Sequence, residues 1–231
     1  MLVAFMAATA APDAGHAQAR LTREQVLAAL ERATPQQPAD FTGQDLAGLN
    51  LSGVDFKRAN LTKCRLERAN LARAQLSSAT LTDAVATEAD FTGANLDVAV
   101  AYRVDLRRAV LRDASVFAVI LYGADLSDAD LSGARLIGPM SNAKAQRARF
   151  VKANLGADPG NQSMGIMRVD ASGVDFSGAD FTGANLRKAL LVRADLTGAD
   201  LTGAILKGIR GRDRIRGLDK ALHVDQAIFN D

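Results

Sequence analysis

The side chains that could take part in catalysis or metal binding are few and widely separated. The 231 residues include one cysteine, Cys64, and two histidines, His16 and His223. A single cysteine forms neither an intramolecular disulfide nor a multi-cysteine metal site. Two histidines so far apart in sequence do not have the spacing of a histidine-rich zinc site. The sequence therefore predicts no metal site, and Cys64 is expected to be a small buried apolar residue.

The sequence also shows no motif for nucleophilic catalysis or for cofactor binding. No serine or cysteine lies near His223 in the chain, so no nucleophile–base pair is suggested. The chain lacks a P-loop and lacks a G-x-G-x-x-G motif after a strand. We therefore expect no catalytic residue and no cofactor, and we predict that the protein is not an enzyme.

Carboxylates are the one abundant class of reactive side chain, and paired carboxylates can act as general acid and base. Their spacing favours another interpretation. An aspartate or asparagine often stands one position before a large apolar residue, as in ADFTG, QDLAG and ANLTK. We interpret these residues as exposed positions of a repeat that form hydrogen bonds along the edge of each unit.

The repeat has a period of five residues. Large apolar residues, here called centres, recur at this spacing from Phe41 to Leu136 and again in the same register from Phe176 to Leu206. Two positions before each centre stands a small residue, usually alanine. A period of five fits neither the 3.6 of a helix nor the 2 of a strand, whereas a sustained fixed period is typical of a solenoid. The centre and the small residue must then point inward, and the other three positions must face solvent.

This motif resembles the A(D/N)LXX consensus of the pentapeptide repeat family over about Ala39 to Gly208. The resemblance implies an all-β solenoid, a right-handed quadrilateral β-helix with four pentapeptides per coil, so that each residue stacks on the one four repeats later. Beyond the repeats, LTREQVLAALERA predicts a short N-terminal capping helix, with Thr22 and Gln25 as a capping box. The C-terminal residues resemble the helical cap of the same family.

These features divide the chain into six segments. The predicted organisation is a signal peptide at 1–19, a helix and linker at 20–38, β-helix at 39–136, an irregular insertion or distorted coil at 137–170, β-helix again at 171–208, and a C-terminal cap at 209–231. Within 137–170, Ala148-Arg149-Phe150 and Ala153-Asn154-Leu155 keep the motif but are shifted by one residue.

Residues 1–19 carry the only indication of cellular location. A short apolar run, Leu2 to Ala11, is followed by Ala17-Gln18-Ala19, an A-x-A cleavage pattern before Arg20. This pattern predicts export to the bacterial periplasm or beyond. No basic residue precedes the run, so an alanine-rich tail on a cytoplasmic protein is the alternative. The run is too short to span a bilayer, and no transmembrane segment is expected.

Charge is nearly balanced, with 28 basic and 26 acidic residues. Stacking four repeats apart brings Arg68, Glu88, Arg108 and Asp128 into one column, and Lys63, Asp83 and Arg103 into another, listed here in chain order. Both columns alternate in sign, which suits salt-bridge ladders on a solvated face. A nucleic-acid binder would stack like charges, so a nucleic-acid partner is not expected.

One stretch breaks the rule that outward positions are polar. In ASVFAVILYGADL, the inward rule leaves Phe117, Ile120 and Tyr122 facing outward. Stacking adds residues of the neighbouring coils, so that the apolar corner, as we call it, consists of Val98, Val100, Tyr102, Phe117, Ile120, Tyr122 and Ile137. Contiguous apolar patches usually mark a contact. Three interpretations are open: segment 138–168 covers the corner, the corner forms a homodimer or partner interface, or it is an incidental exposed patch.

The sequence thus favours a non-enzymatic structural and interaction module, a rigid scaffold that binds an unknown protein partner or a second copy of itself. The family resemblance offers an alternative, a DNA mimic that binds gyrase and protects it from quinolones. Such mimicry needs a strongly acidic rod, because DNA carries dense negative charge. Residues 39–136 hold 13 acidic and 11 basic residues, which disfavours the mimic.

Overall fold

The computed structural model describes residues 20–157 and 167–229, and the repeats form a four-sided solenoid. The residue before each centre pairs, through a parallel bridge, with the equivalent residue four repeats later. In the first coil the bridges are Asp40–Asn60, Asp45–Arg65, Asn50–Asn70 and Asp55–Gln75. The four-repeat stacking predicted from the sequence is therefore confirmed. We number the four faces 1 to 4 by the first coil's centres, Phe41, Leu46, Leu51 and Phe56.

A tight turn at the end of each pentapeptide produces the corners. In the first unit, the N–H of Gln44 donates to the carbonyl of Phe41 at 2.9 Å. The residue two after each centre adopts a positive φ, 69° at Gly43 and 57° at Arg68, as the third residue of a type II turn does. The left-handed conformation costs a non-glycine residue roughly 1–2 kcal/mol, so burial of the adjoining apolar side chains must offset it.

The core is the interior of the coil. The centres and the small residues two positions before them are buried along most of the rod from Phe41 to Leu206, as the inward rule predicts. Three phenylalanines pack together near the C-terminal half, where the rings of Phe150 and Phe181 stack with centroids 4.9 Å apart, and Phe176 meets both edge-on. Because each coil packs only on its neighbours, the core is one continuous column.

Two strands longer than a single bridge occur among the described residues. Strand β1, Ser115–Phe117, pairs in parallel with β2, Arg135–Ile137. Phe117 lies beside Ile137 in this register. Both strands lie on face 4 and end at the corner between faces 4 and 1, which is the location of the apolar corner.

Helix α1, Arg23–Arg32, lies against the first coil. It begins with the predicted capping box, in which the Thr22 hydroxyl accepts from the N–H of Gln25 and the Gln25 side chain accepts from the N–H of Thr22. Val26 is fully buried in the common core. Since the Leu21 N–H donates to the carbonyl of Asp45 at 3.0 Å, the segment before the helix also binds the edge of the first coil.

The interruption between the two blocks of repeats is narrower than 137–170. In the bridges Asp125–Lys144, Asp130–Arg149 and Arg135–Asn154, the paired residues are 19 apart in the chain instead of 20. Residues 139–157 therefore form a further coil of four sides, which is one residue shorter than a regular coil. The missing residue comes from the corner between faces 4 and 1, where only three residues separate the centres Leu136 and Met140. Longer bridges, such as Lys144–Asp175, then lead to the next coil, and residues 158–166 lie outside the described part.

The C-terminal cap continues the solenoid with a longer unit. Four bridges, Leu190–Arg210, Asp195–Arg216, Asp200–Leu222 and Ile205–Ile228, place the cap on the last regular coil with a period of six. The extra residue in each unit belongs to a 3-10 turn, and these turns are Arg212–Arg214, Leu218–Lys220 and Val224–Gln226. The sequence suggested a helical cap. The cap instead consists of three six-residue units, and each unit contains one short 3-10 turn.

Candidate interaction surface

The apolar corner runs along the edge between faces 4 and 1. The bridges Thr80–Val100 and Val100–Ile120 place Val100 directly beside Ile120. The rings of Tyr102 and Tyr122 stack with centroids 5.9 Å apart and planes 26° apart. Two coils therefore present one apolar strip, as the four-repeat stacking predicts.

Exposure along this strip is uneven. Val98 retains 56% of its accessible surface and Tyr122 retains 39%, values unusual for large apolar side chains in this protein. Val100, Tyr102, Phe117 and Ile120 are half-buried. Val98 sits at the turn itself, with φ of 63°, so its side chain projects from the edge of the rod.

Ile137 departs from the sequence-based prediction, because it is not exposed. It retains 1% of its accessible surface, although it does not belong to the core cluster inside the coil. Gly138 and Gly156, which adjoin it in this and the next coil, are buried as well. The shortened turn draws the chain inward here, since a Cβ on Gly138 would lie 2.6 Å from the carbonyl oxygen of Val119. The exposed part of the apolar corner therefore ends below Ile137.

Polar contacts hold the face-4 side of the corner in place. The guanidinium of Arg135 lies 4.1 Å from the centroid of the Phe117 ring. One carboxylate oxygen of Asp97 accepts from the Phe117 N–H at 3.0 Å and from the Ser115 hydroxyl at 2.5 Å. Charged hydrogen bonds of this kind are roughly twice as strong as neutral ones. Phe117 is thus fixed in orientation by contacts on both its backbone and its ring.

Cys64 lies inside the solenoid, as predicted. Its Sγ donates to the carbonyl of Phe41 at 2.7 Å, and burial raises the pKa of the thiol to about 12. A thiol with so high a pKa has almost no thiolate at neutral pH and is a poor nucleophile.

His223 lies on the cap. Its Nδ1 is 3.0 Å from Oδ1 of Asp200, on face 3. Within residues 20–157 and 167–229, no three histidine, cysteine or carboxylate side chains converge in a way that could hold a metal ion.

The aspartates before the centres bond to their own turns. Asp90 Oδ1 accepts from the N–H of Thr92 at 2.8 Å, and the same bond joins Asp130 to Ser132 and Asp180 to Thr182 at 3.0 Å. The hydroxyl and N–H of Thr42 lower the pKa of Asp40 in the same way. These carboxylates therefore act as structural acceptors, in agreement with the interpretation of the repeat.

The charged columns form salt-bridge ladders at two corners. Glu88 lies between Arg68 at 2.8 Å and Arg108 at 2.7 Å, and a bidentate contact joins Arg103 to Asp83 at 2.7 Å. Hydrogen bonds from Arg68 lower the pKa of Glu88. Sequence reasoning missed the next member, Arg147, which meets Asp128 at 2.7 Å. Because the coil is one residue shorter, Arg147 follows Asp128 by 19 residues. A constant spacing of 20 residues therefore does not predict this contact.

Comparison with known proteins follows the same repeats. The family model of pentapeptide repeats matches residues 39–73, 74–113, 105–138 and 172–208. No curated protein matches the chain significantly. The described residues include no helix with the length and apolar character needed to span a bilayer.

Similar solved structures include three with different origins. HetL, a pentapeptide repeat protein involved in heterocyst differentiation regulation in the cyanobacterium Nostoc sp. strain PCC 7120, is 32% identical, with 82% of this chain and 86% of HetL covered and a TM-score of 0.44. QnrB1, a plasmid-mediated fluoroquinolone resistance protein, is 20% identical over 74% of this chain and 83% of its own, with a TM-score of 0.44. A pentapeptide repeat protein of the Arabidopsis thaliana thylakoid lumen is 20% identical over 75% and 88%, with a TM-score of 0.29.

Proposed function

Since the chain belongs to the pentapeptide repeat family, we propose that it is a non-enzymatic interaction module that binds a protein partner or a second copy of itself through the apolar corner. The carrying observation is the exposure of Val98 and Tyr122 beside the stacked tyrosines. Outward positions elsewhere on the rod are mostly threonine, serine, aspartate or arginine. Aromatic side chains at an exposed apolar site are the usual anchors of protein interfaces.

Rigidity supports the same proposal. The corner is built on backbone hydrogen bonds between coils, such as Val98 N to Phe117 O at 2.8 Å and Arg103 N to Tyr122 O at 3.0 Å. Its side chains therefore keep fixed relative positions before a partner arrives. A preorganised surface loses little conformational entropy on binding, which favours affinity.

The test is a double substitution, Tyr102→Lys with Ile120→Lys, in the full chain. Both side chains point outward, so we expect the fold to persist while self-association or partner capture is lost. The matched control is Thr92→Lys with Val110→Lys, which changes the same two repeat positions on face 3, opposite the face 1 that carries Tyr102 and Ile120. Oligomeric state is measured by sedimentation and partner capture by pull-down. If the double variant matches the wild type in both, the apolar corner is not the interaction site.

We also propose that the protein is exported, on the basis of the A-x-A pattern before Arg20, which falls in residues outside the described part. The expected result is that mass spectrometry of the protein from its native cell finds a mature chain that begins at Arg20. A chain that retains residues 1–19 would favour the alternative, an alanine-rich tail on a cytoplasmic protein.

The gyrase-binding alternative has less support. A DNA mimic needs a surface of uniform negative charge, whereas the ladders at Glu88 and Asp83 pair each carboxylate with arginine. A supercoiling assay distinguishes the two functions. We expect no inhibition of gyrase by the purified protein, and inhibition at stoichiometric concentration would support the mimic instead.

A further inference from the structure

The charge of the rod is concentrated at its C-terminal end. Residues 39–186 hold 16 basic and 17 acidic residues, whereas residues 187–220 hold nine basic and four acidic residues. Six of the nine form the basic end, as we call it, and make no ion pair with any described residue: Arg187, Lys188, Arg193, Lys207, Arg210 and Arg212. Near neutrality of the whole chain conceals this local excess.

The basic end occupies face 1 and the two corners that border it. Arg210 lies on face 1, bridged to Leu190. Arg187 and Lys207 stack in one column in the turn that joins face 4 to face 1, since each follows its member of the bridged pair Asn185–Ile205 by two residues. Arg193 lies at the opposite corner, where its N–H donates to the carbonyl of Arg214.

Basic residues are stacked on each other here, as in the column of Arg187 and Lys207, whereas the like charges bridged elsewhere on the rod are aspartates, such as Asp105 and Asp125. Neighbouring coils are about 4.8 Å apart, and like charges placed directly opposite each other destabilise a sheet. The ladder of Arg68, Glu88 and Arg108 demonstrates that the same fold accommodates alternation. The six residues of the basic end lack such stabilising salt bridges, and an anionic partner would supply the missing negative charges.

We propose that the basic end docks onto the phosphate groups of an anionic lipid surface. The cations lie on one flat face and its edges, so they can approach a plane of phosphates together, within the Debye length of about 8 Å. Half-buried Leu190 and Val192 lie among them on face 1, and a bilayer interface offers these apolar side chains a counterpart. A nucleic-acid duplex fits this surface less well. Its surface is curved, so a flat face would meet the phosphates of one strand, and the duplex offers no apolar contact to Leu190 and Val192.

Two of the acidic residues nearby, Asp195 and Asp213, do not neutralise this surface. Asp213 is 3.6 Å from Nε of Arg214, and Asp195 is 3.7 Å from Arg216, so each carboxylate is matched by an arginine outside the six. The cation of Arg212 lies 4.1 Å from the centroid of the Phe229 ring, a contact that leaves its charge unneutralised. This docking surface is separate from the apolar corner and does not depend on it.

The test measures co-sedimentation of the full chain with vesicles of phosphatidylglycerol and phosphatidylcholine, against vesicles of phosphatidylcholine alone. We expect binding to the anionic vesicles that falls steeply with added salt. In the variant Arg187→Gln, Lys207→Gln, Arg210→Gln, the partition coefficient should fall roughly a hundredfold, because each basic residue near an anionic membrane contributes about fivefold. The salt titration of the wild type tests the proposal even if that variant folds poorly.

The matched control removes three other exposed basic residues that have no ion pair among the described residues, Arg58→Asn, Arg73→Asn and Lys152→Asn. Asparagine is used because these positions have a positive φ. The control should bind like the wild type. Equal loss in both variants, equal binding to neutral vesicles, no vesicle binding, or tighter binding to duplex DNA than to vesicles would each overturn the proposal.

Discussion

At the level of single residues, position within the pentapeptide decides what a side chain does. Asp90 stands before a centre and accepts a hydrogen bond from its own turn, whereas Asp83 and Glu88 stand at corners and bind arginines of neighbouring coils. Cys64 occupies the small inward position and has no access to solvent. Chemically similar groups thus acquire different roles from a shift of a few residues.

The buried thiol provides the first prediction. Because the pKa of Cys64 is raised to about 12, alkylation by iodoacetamide at about pH 8 should be at least about a thousandfold slower in the native protein than in denaturant. The rate is measured by mass spectrometry over time. Rapid native labelling would show that the first coils open, since the thiol has no other route to the reagent.

The ladder provides a prediction about pH. The folded-state pKa of Glu88 is lowered, chiefly by the hydrogen bond from Arg68. A carboxylate with a depressed pKa stabilises the fold above its unfolded value, near 4.3, and loses that contribution as pH falls through the folded pKa. Glu88→Gln should therefore lower Tm at about pH 7 and have a smaller effect at about pH 2.

Thermal unfolding at both pH values, with Glu31→Gln as the control, measures this difference. Glu31 is exposed on α1 and makes no ion pair with a described residue. A Tm difference for Glu88→Gln that persists unchanged in acid would mean that the side chain stabilises the corner by packing rather than by charge.

At the level of elements, the shortened turn between Leu136 and Met140 tolerates substitution poorly. A Cβ at Gly138 would lie 2.6 Å from the Val119 carbonyl oxygen, a backbone atom that cannot move aside cheaply. By contrast, a Cβ at Gly53 would meet nothing within 4 Å, so only its φ of 68° opposes substitution. Gly138 has a φ of 155°, so a substitution there combines a clash with a strained backbone, whereas substitution of Gly53 tests the backbone conformation alone.

The prediction compares these two positions. Gly53→Ala should lower the free energy of unfolding by roughly 1–2 kcal/mol, the cost of the left-handed conformation. Gly138→Ala should lose clearly more, about 3 kcal/mol or above, because the neighbouring coil must also shift. Denaturant titration measures both. Equal losses would mean that the coil relaxes around the new methyl group.

At the level of the whole molecule, the solenoid is continuous across the interruption. Bridges join Lys144 to Asp175 and Arg149 to Asp180, and the rings of Phe150 and Phe181 stack across the same boundary. In a solenoid each coil is stabilised by its neighbours, so cooperativity depends on every interface. The phenylalanine cluster contributes three aromatic rings to the interface between the coils on either side of the interruption.

Phe150→Ala tests that coupling. Removing a buried phenylalanine costs about 3–5 kcal/mol, and here we expect the unfolding transition to split in two as the coils on either side separate. Phe91→Ala, a buried centre within the first block of repeats, should cost as much but retain a single transition. A single transition in both variants, followed by circular dichroism and calorimetry, would place the coupling elsewhere.

The period of five determined, without coordinates, which residues are buried, how coils stack and where alternating charges meet. These are local consequences of a repeat in which each unit contacts the equivalent units of the coils above and below. Thr22 and Gln25 likewise specified the start of α1, because a capping box involves only adjacent turns. The apolar corner followed from the same rule, since Val100 and Tyr102 stack under Ile120 and Tyr122.

The tertiary structure decided whatever depends on a change of period. One residue lost between Leu136 and Met140 buried Ile137 and carried Arg147 into the ladder, and neither effect can be read from a constant spacing. The six-residue units of the cap begin from Arg210, which lies on face 1 above Leu190. A repeat predicts its own continuation, but the register after each interruption depends on how the returning chain packs, which only the folded molecule determines.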